Sequence, residues 1–262
     1  MLSLLREYSA AWRAHSVWRA LAVLDMRMRF RRSYFGIAWM VFNQLIFALG
    51  AGYLWASILN VPPASFIPTL AIGLAIWGFI SGLLLEGCAT FPTAAGYLRQ
   101  LPLPRMVFIF RVVMVQTTFL GIGLATSVAV MAAFGVPPSW GVLTALPGIL
   151  MVLALGVLVV TSISFLGSRY RDLQHGIAML LQLLFVITPI LYPPAMLVER
   201  GLEWAVHVNP LTAVIEVIRH PLLHNDFAPA LHYQIVGGLL VVNALIAWLA
   251  VRFLGKRMIF WL

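Results

Sequence analysis

The sequence predicts an all-α integral membrane protein with six transmembrane helices. Hydrophobic residues make up 62% of the 262 residues, charged residues only 10%, and the mean hydropathy is +0.98. A soluble domain carries about 25% charged residues, and a chain this apolar could not cover its surface with polar groups in water. The basic residues, in addition, gather at the ends of apolar runs. We therefore expect a single transmembrane domain over residues 1–262.

Six apolar runs are long enough to form helices that cross a hydrocarbon layer about 30 Å thick, which takes roughly 20 residues at about 1.5 Å each. The predicted spans are 37–59, 66–88, 107–135, 141–167, 176–194 and 233–254. Their interiors are almost free of charge. Thr188-Pro189 breaks the fifth run near its end, which lipid tolerates only where neighbouring groups satisfy the freed carbonyls.

The basic residues predict the orientation of these spans. With six spans, 15 of the 17 Lys and Arg residues fall on one face, in the N-terminal segment, two connections and the C-terminal tail. Only Arg200 and Arg219 fall on the other face. Basic residues are enriched in cytoplasmic loops, so both termini are predicted to be cytoplasmic.

The N-terminal segment 1–36 does not have the apolarity to cross a bilayer, yet residues 3–32 have a helical pattern. Four apolar side chains share one face at helical spacing: Val17, Leu21, Leu24 and Met28. This pattern predicts an amphipathic helix that lies at the cytoplasmic membrane surface.

Two further segments are neither spans nor short loops. Residues 94–106 form a predicted compact turn that contains two prolines. Residues 195–230 are the only sizeable segment on the outer face, and they hold an apolar stretch after Asn209-Pro210 that is too short to span. We expect short re-entrant helices here, between spans five and six, buried in protein rather than facing lipid.

Missing motifs exclude several classes of protein. The chain contains no GxxxxGK[ST], HExxH or GxSxG pattern, which argues against a P-loop ATPase, a metalloprotease and an esterase. An ion-coupled carrier would keep charged groups deep in its spans, whereas Glu86 falls at the cytoplasmic end of the second span. The basic charge follows membrane topology instead of the interleaved pattern of a nucleic-acid module, so we expect no nucleic-acid partner.

Four of the six histidines fall in the outer connection, including His207 and His232. His220 and His224 are one helical turn apart, a spacing found in metal sites. Pro221 between them makes a regular helix doubtful, and no carboxylate or cysteine completes the pattern. We expect interfacial side chains here and no metal.

Several separate stretches together resemble the membrane subunit of type 2 ABC exporters, specifically the polysaccharide-export permeases for O-antigen, teichoic acid and capsule. The stretches are RRSYFGIAW at 31–39, LPR at 103–105, RYRDL at 169–173, TPILYPP at 188–194 and NPLT at 209–212, with Glu216 and Arg219 downstream. They occur in this order at matching topological positions, and the resemblance covers essentially the whole chain.

The resemblance implies a homodimeric permease in the bacterial inner membrane, paired with two copies of a separate ATPase subunit that carries ATP and Mg. This chain would then hold no cofactor and would not itself be an enzyme. Its substrate would be a lipid-linked cell-surface polysaccharide. The implied contacts with the ATPase lie in 3–32, 94–106 and 168–174, and the implied outer gate lies in 195–230.

Within those segments we assign candidate residues to three roles. The candidates for coupling to the ATPase are Arg99, Pro104, Arg105, Arg169, Tyr170, Arg171 and Asp172. The candidates for the outer gate are Pro189, Asn209, Pro210, Glu216 and Arg219. Sugars present apolar C–H faces that stack on aromatic rings, so the candidates for the substrate path are Trp39, Phe42, Phe47, Tyr53, Trp55, Phe185 and Tyr192.

Two other functions stay open at this point. One is a type 2 ABC exporter of a drug or another small molecule, which would share the predicted topology. The other is an integral-membrane enzyme that modifies a lipid, although the sequence shows no catalytic constellation for it.

Overall fold

The computed structural model describes residues 2–136, 139–193, 196–197, 200–201, 206, 208–255 and 258–261. All regular structure in these residues is helical, which confirms the all-α prediction. The helices are α1 (Leu2–Arg13), α2 (His15–Arg29), α3 (Ala38–Leu59), α4 (Pro63–Thr93), α5 (Ala95–Gln100), α6 (Met106–Ala133), α7 (Gly141–Thr144), α8 (Leu146–Arg169), α9 (Leu173–Ile187), α10 (Pro210–His224) and α11 (Ala230–Leu254), followed by a 3₁₀ turn (Met258–Phe260).

Five helical stretches of the described chain are long and apolar enough to cross a membrane. They are Ala38–Leu59, Pro63–Gln100, Met106–Ala133, Gly141–Arg169 and Ala230–Leu254. These correspond to the first, second, third, fourth and sixth predicted spans. The chain is therefore a multi-pass membrane protein.

The fifth predicted span is shorter than expected. Helix α9 has 15 residues and ends at Ile187, not at 194. At about 1.5 Å per residue it is roughly 22 Å long, less than a hydrocarbon layer of about 30 Å. It ends there because a residue before proline is driven out of the helical region, and Thr188 before Pro189 is extended (φ −78°, ψ 133°). A count of six spans stays a prediction.

The N-terminal segment forms two helices instead of one, with a break at Ala14. On α2, Val17 and Leu21 of the predicted apolar face pack against the core, whereas Leu24 and Met28 are 44% and 54% exposed. Exposed apolar side chains are compatible with a helix at the membrane surface, and that location stays a prediction. Helix α2 packs against α6.

Helix α4 lies at the centre of the bundle, in contact with α3, α6, α8, α9 and α10. Small residues bring the neighbouring backbones close to it, as is common between membrane helices. A Cβ atom at Gly167 of α8 would lie 2.2 Å from the Cys88 carbonyl oxygen of α4, and one at Gly156 would lie 2.8 Å from Leu83.

Helix α10 is the longest helix described within the predicted re-entrant segment 195–230. Nine of its 15 residues are buried, and a Cβ atom at Gly148 of α8 would lie 2.1 Å from the Val217 carbonyl oxygen. The doubt about regular helix around Pro221 was wrong, since α10 continues to His224 and the rings of His220 and His224 lie 4.6 Å apart. Positions 195, 198–199, 202–205 and 207 of the predicted segment, with His207, are outside the described residues.

Candidate functional site

Arg105, a predicted contact for an ATPase, joins three parts of the chain. Its Nη1 donates to the Gly255 carbonyl oxygen at 2.6 Å, beyond the end of α11, and its Nη2 donates to the Glu7 carboxylate of α1. The guanidinium carbon also lies 5.9 Å from the centroid of the Phe165 ring. Bonds between an arginine and a carboxylate are among the stronger protein hydrogen bonds. Arg105 therefore fixes α1 against the ends of the bundle helices.

Two more ion pairs hold α2 to the bundle. Arg111 of α6 binds the Asp25 carboxylate through two nitrogen atoms, one of them Nη2 at 2.6 Å from Oδ1. Arg29 binds the Glu86 carboxylate of α4. These pairs were not predicted. The signal in the sequence was that segment 1–36 holds only two acidic residues, Glu7 and Asp25, and each pairs with an arginine at the N-terminal end of α6.

The remaining coupling candidates lie at the same end of the bundle. Arg99, Arg171 and Asp172 are exposed. Pro104 is half-buried, and its carbonyl oxygen accepts from the Val107 amide at 3.0 Å in the first turn of α6. Their role in coupling stays a prediction.

Arg169 and Tyr170 close the turn between α8 and α9. The Arg169 guanidinium lies 5.2 Å from the Tyr170 ring centroid and 5.5 Å from that of Trp261, a cation–π arrangement that ties the C-terminal end of the chain to this turn. A pocket of about 330 Å³ beside it is lined by Tyr170, Arg171, Trp261 and the end of α4. Lys256 and Arg257, which were counted on this face, are outside the described residues.

The gate candidates meet at the opposite end, where α9 ends and α10 begins. Asn209 is the N-cap of α10, its side-chain oxygen accepting from the Leu211 amide at 3.0 Å. Its Nδ2 donates to the Thr188 hydroxyl at 2.9 Å. Pro210 occupies the first helical position, where its missing N–H is not needed. One side chain therefore both starts α10 and joins it to the end of α9.

A second contact between these helices comes from a buried charge. Arg219 is only 2% exposed, its Nη1 donates to the Pro189 carbonyl oxygen at 2.9 Å, and its Nη2 pairs with Glu216. Burial acts to raise the pKa of Glu216, but the charge of Arg219 and its hydrogen bond outweigh burial and hold that pKa below its ordinary value. Through this bond, the Pro189 carbonyl oxygen joins α10 to the segment that follows α9.

The ion pair of Arg219 with Glu216 lines a pocket of about 260 Å³ at this end of the bundle. His220, His224 and His232 also line it. Burial first, and then the neighbouring His224, lower the pKa of His220. No group of three potential metal ligands occurs among the described residues.

The path candidates do not form one continuous strip. Trp39 and Phe42 lie in an exposed cluster with Phe35 at the start of α3, with centroid distances of 5.3 and 5.6 Å from the Phe35 ring. Phe47 lines a pocket between α3, α4 and α6. The remaining candidates make separate contacts. The ring centroid of Tyr53 lies 6.2 Å from that of Phe134, and that of Phe185 lies 5.4 Å from that of Trp77. The Tyr192 hydroxyl donates to the Val186 carbonyl oxygen, and Trp55 packs against the core.

The chain is similar to known proteins over most of its length. Residues 16–223 match the ABC-2 type transporter family. Two proteins of Klebsiella pneumoniae named O-antigen export system permease protein RfbA are 26% and 25% identical to the chain. The first alignment covers 84% of this chain and 86% of the relative, and the second covers 73% and 74%. A protein of the same name from Myxococcus xanthus is 23% identical over 82% of each chain.

The family match covers well over half of the chain, and the helical bundle has the apolar helices that a membrane permease requires. The chain belongs to the ABC-2 type transporter family and is a permease homologous to O-antigen export permeases.

Proposed function

We propose that this chain is the membrane-spanning half of an ATP-driven exporter, and that it moves an O-antigen-like, lipid-linked polysaccharide across the bacterial inner membrane. Two copies of the chain would pair with two copies of an ATPase subunit that holds ATP and Mg. The observation that carries the proposal is the similarity to O-antigen export permeases over most of the length of both chains.

The chemistry of the substrate supports a protein-lined route. Each hydroxyl left without a hydrogen bond in hydrocarbon costs roughly 2–7 kcal/mol, and a glycan carries several per sugar. A glycan therefore cannot cross lipid unaided. The chain has no P-loop motif, which supports a separate partner as the source of the work.

The contacts at the Arg105 end support force transmission. Three ion pairs fasten α1 and α2 to α4, α6 and the end of α11. A push on the surface helices would therefore move the bundle with them, instead of bending a loose segment. This is the behaviour expected of the part that contacts an ATPase.

The face of α3 leaves room for a second copy of the chain. Most of the apolar surface of this helix is exposed within the described chain, and its exposed side chains include Ile46, Tyr53, Leu54 and Ile58. A homodimer that met along this region would place the aromatic path candidates of α3 beside the interface.

Deletion of the gene in its host tests the proposal. We expect surface polysaccharide to disappear while lipid-linked polymer accumulates inside the cell, and we expect the wild-type chain to restore export. Normal surface polysaccharide, together with retention of a labelled drug, would favour a small-molecule exporter. Turnover of a lipid by the purified chain without an ATPase would favour a lipid-modifying enzyme.

A further inference from the structure

A pocket of about 290 Å³ lies between α3, α4 and α6. Its wall combines three side-chain amides with three aromatic rings: Asn43, Gln44, Gln116, Phe47, Phe79 and Phe119. None of the described residues that line it is charged. The pocket includes Phe47 from the predicted substrate path but was otherwise not anticipated, because uncharged amides within apolar runs do not mark a site in the sequence.

Gln116 is the main reason to expect a ligand here. The residue is only 3% exposed, its amide makes no hydrogen bond to another described residue, and its polar atoms stay open to the pocket. The amide packs directly against Gly82, where a Cβ atom would lie 2.1 Å from the Gln116 side-chain oxygen. A polar molecule in the pocket would satisfy this amide.

Gln44 lines the pocket, and hydrogen bonds to neighbouring helices hold its side chain in place. Its Nε2 donates to three acceptors on neighbouring helices: the carbonyl oxygens of Ala71 at 3.1 Å and Gly123 at 3.0 Å, and the Ser127 hydroxyl at 3.0 Å. These bonds join α3 to α4 and α6. The side-chain oxygen of Gln44 accepts no hydrogen bond within the described residues, so it is available to a donor in the pocket.

The lining matches one chemical class of ligand. Amides both donate to and accept from hydroxyl groups, and aromatic faces pack against the C–H faces of a sugar ring. A phosphate or a metal ion would find no opposite charge in this wall. The volume lies at the lower limit of ligand sites, which run from about 300 to 1,000 Å³, and therefore suits one ring instead of a chain.

We infer that this pocket binds a neutral sugar residue of the exported glycolipid, through the amides of Gln116, Gln44 and Asn43. The inference rests on the proposed function and adds a place where one sugar is held among the membrane helices. It distinguishes recognition of the glycan from recognition of the lipid phosphate that carries it.

The test uses the purified permease with its ATPase partner in lipid nanodiscs. Two probes are added: the lipid-linked glycan that accumulates in cells without the permease, and the same lipid after its glycan has been removed. The measurement is the probe concentration that gives half-maximal stimulation of ATP hydrolysis. Gln116→Leu should raise this concentration for the glycolipid about three- to ten-fold, as expected for the loss of a hydrogen bond. The response to the lipid without its glycan should not change.

Two other variants accompany this test. Thr118→Val is the matched control, because Thr118 lies on the same helix and its hydroxyl donates to the Met114 carbonyl oxygen at 2.9 Å, away from the pocket. It should respond like the wild type. Gly82→Ala keeps the Gln116 amide but displaces it, and should weaken the glycolipid response in the same direction if Gln116→Leu fails to assemble.

Three results would overturn the inference. An unchanged glycolipid response in both pocket variants would remove the sugar from this pocket and leave the proposed function intact. An equal change for both probes would show that Gln116 acts on the lipid or on the fold. A wild-type complex that does not respond to the glycolipid would refute the proposed function, and the inference with it.

Discussion

Several single residues make contacts that their positions in the sequence did not predict. Arg105 is a predicted ATPase contact, and its guanidinium also binds Glu7 and the Gly255 carbonyl oxygen. Gln116 and Gln44 lie in apolar runs and had no predicted role. Sequence spacing identified the positions of arginines relative to the membrane, whereas their partners lie far along the chain and depend on helix packing.

The pair between Arg105 and Glu7 gives a prediction about stability. Both side chains are about one quarter exposed, so the loss of either should lower the free energy of unfolding by roughly 1.5–3 kcal/mol, the range for hydrogen bonds to charged groups. Arg105→Ala, Glu7→Ala and the double variant form a double-mutant cycle measured by thermal unfolding in detergent. Additive effects would contradict a direct interaction.

Asp172 gives the complementary prediction about coupling. It is exposed and makes no ion pair within the described residues. Asp172→Asn should therefore leave the unfolding temperature unchanged and reduce substrate-coupled ATP hydrolysis, with membrane insertion intact. Arg105→Ala should reduce both stability and coupling. Wild-type coupling in both variants would exclude these loops from transmission.

Most of the membrane helices could be predicted, because the length of each apolar run can be read from the sequence. The exceptions have physical causes. Proline ends α9 early. Close helix approach through glycine was also not predicted, since the residues that meet are separated by long stretches of chain.

The contact between α8 and α10 can be tested through Gly148. A Cβ atom there would meet the Val217 carbonyl oxygen at 2.1 Å, so Gly148→Ala must push the two helices apart. We expect a loss of about 1–3 kcal/mol, the usual cost of overpacking, measured by thermal unfolding. Gly121→Ala is the control, because a Cβ atom at Gly121 meets nothing within 4 Å. Equal effects in both variants would argue against the close approach.

Asn209 carries the prediction about the outer end. Asn209→Ala removes the cap of α10, worth about 1 kcal/mol, and the bond to Thr188. Asn209→Ser keeps an oxygen for the cap but is too short to reach Thr188. Both variants should disturb export, measured as surface polysaccharide, and only Asn209→Ala should lose the stability of the cap. Wild-type export in Asn209→Ala and in a Pro189→Ala variant would count against a gate at 195–230.

The two ends of the molecule are built differently, which fits the two roles predicted for them. The ion-paired surface helices lie at the end where α4, α8 and α11 finish, whereas α10 packs near the start of α4 and of α8. The sequence indicated this separation through the arginines on one face. It did not indicate how firmly each end is fastened, because that depends on pairs such as Arg111 with Asp25.

The central claim is that this chain, driven by an ATPase partner, moves a lipid-linked polysaccharide across a membrane. The most direct measurement uses vesicles in which the permease and its partner are reconstituted with lipid-linked glycan from cells that lack the permease. The fraction of glycan protected from an oxidant that cannot cross the membrane is followed over time. We predict that this fraction rises only when ATP and both subunits are present. A rise without ATP or without the partner, or no rise with all components, would contradict the account.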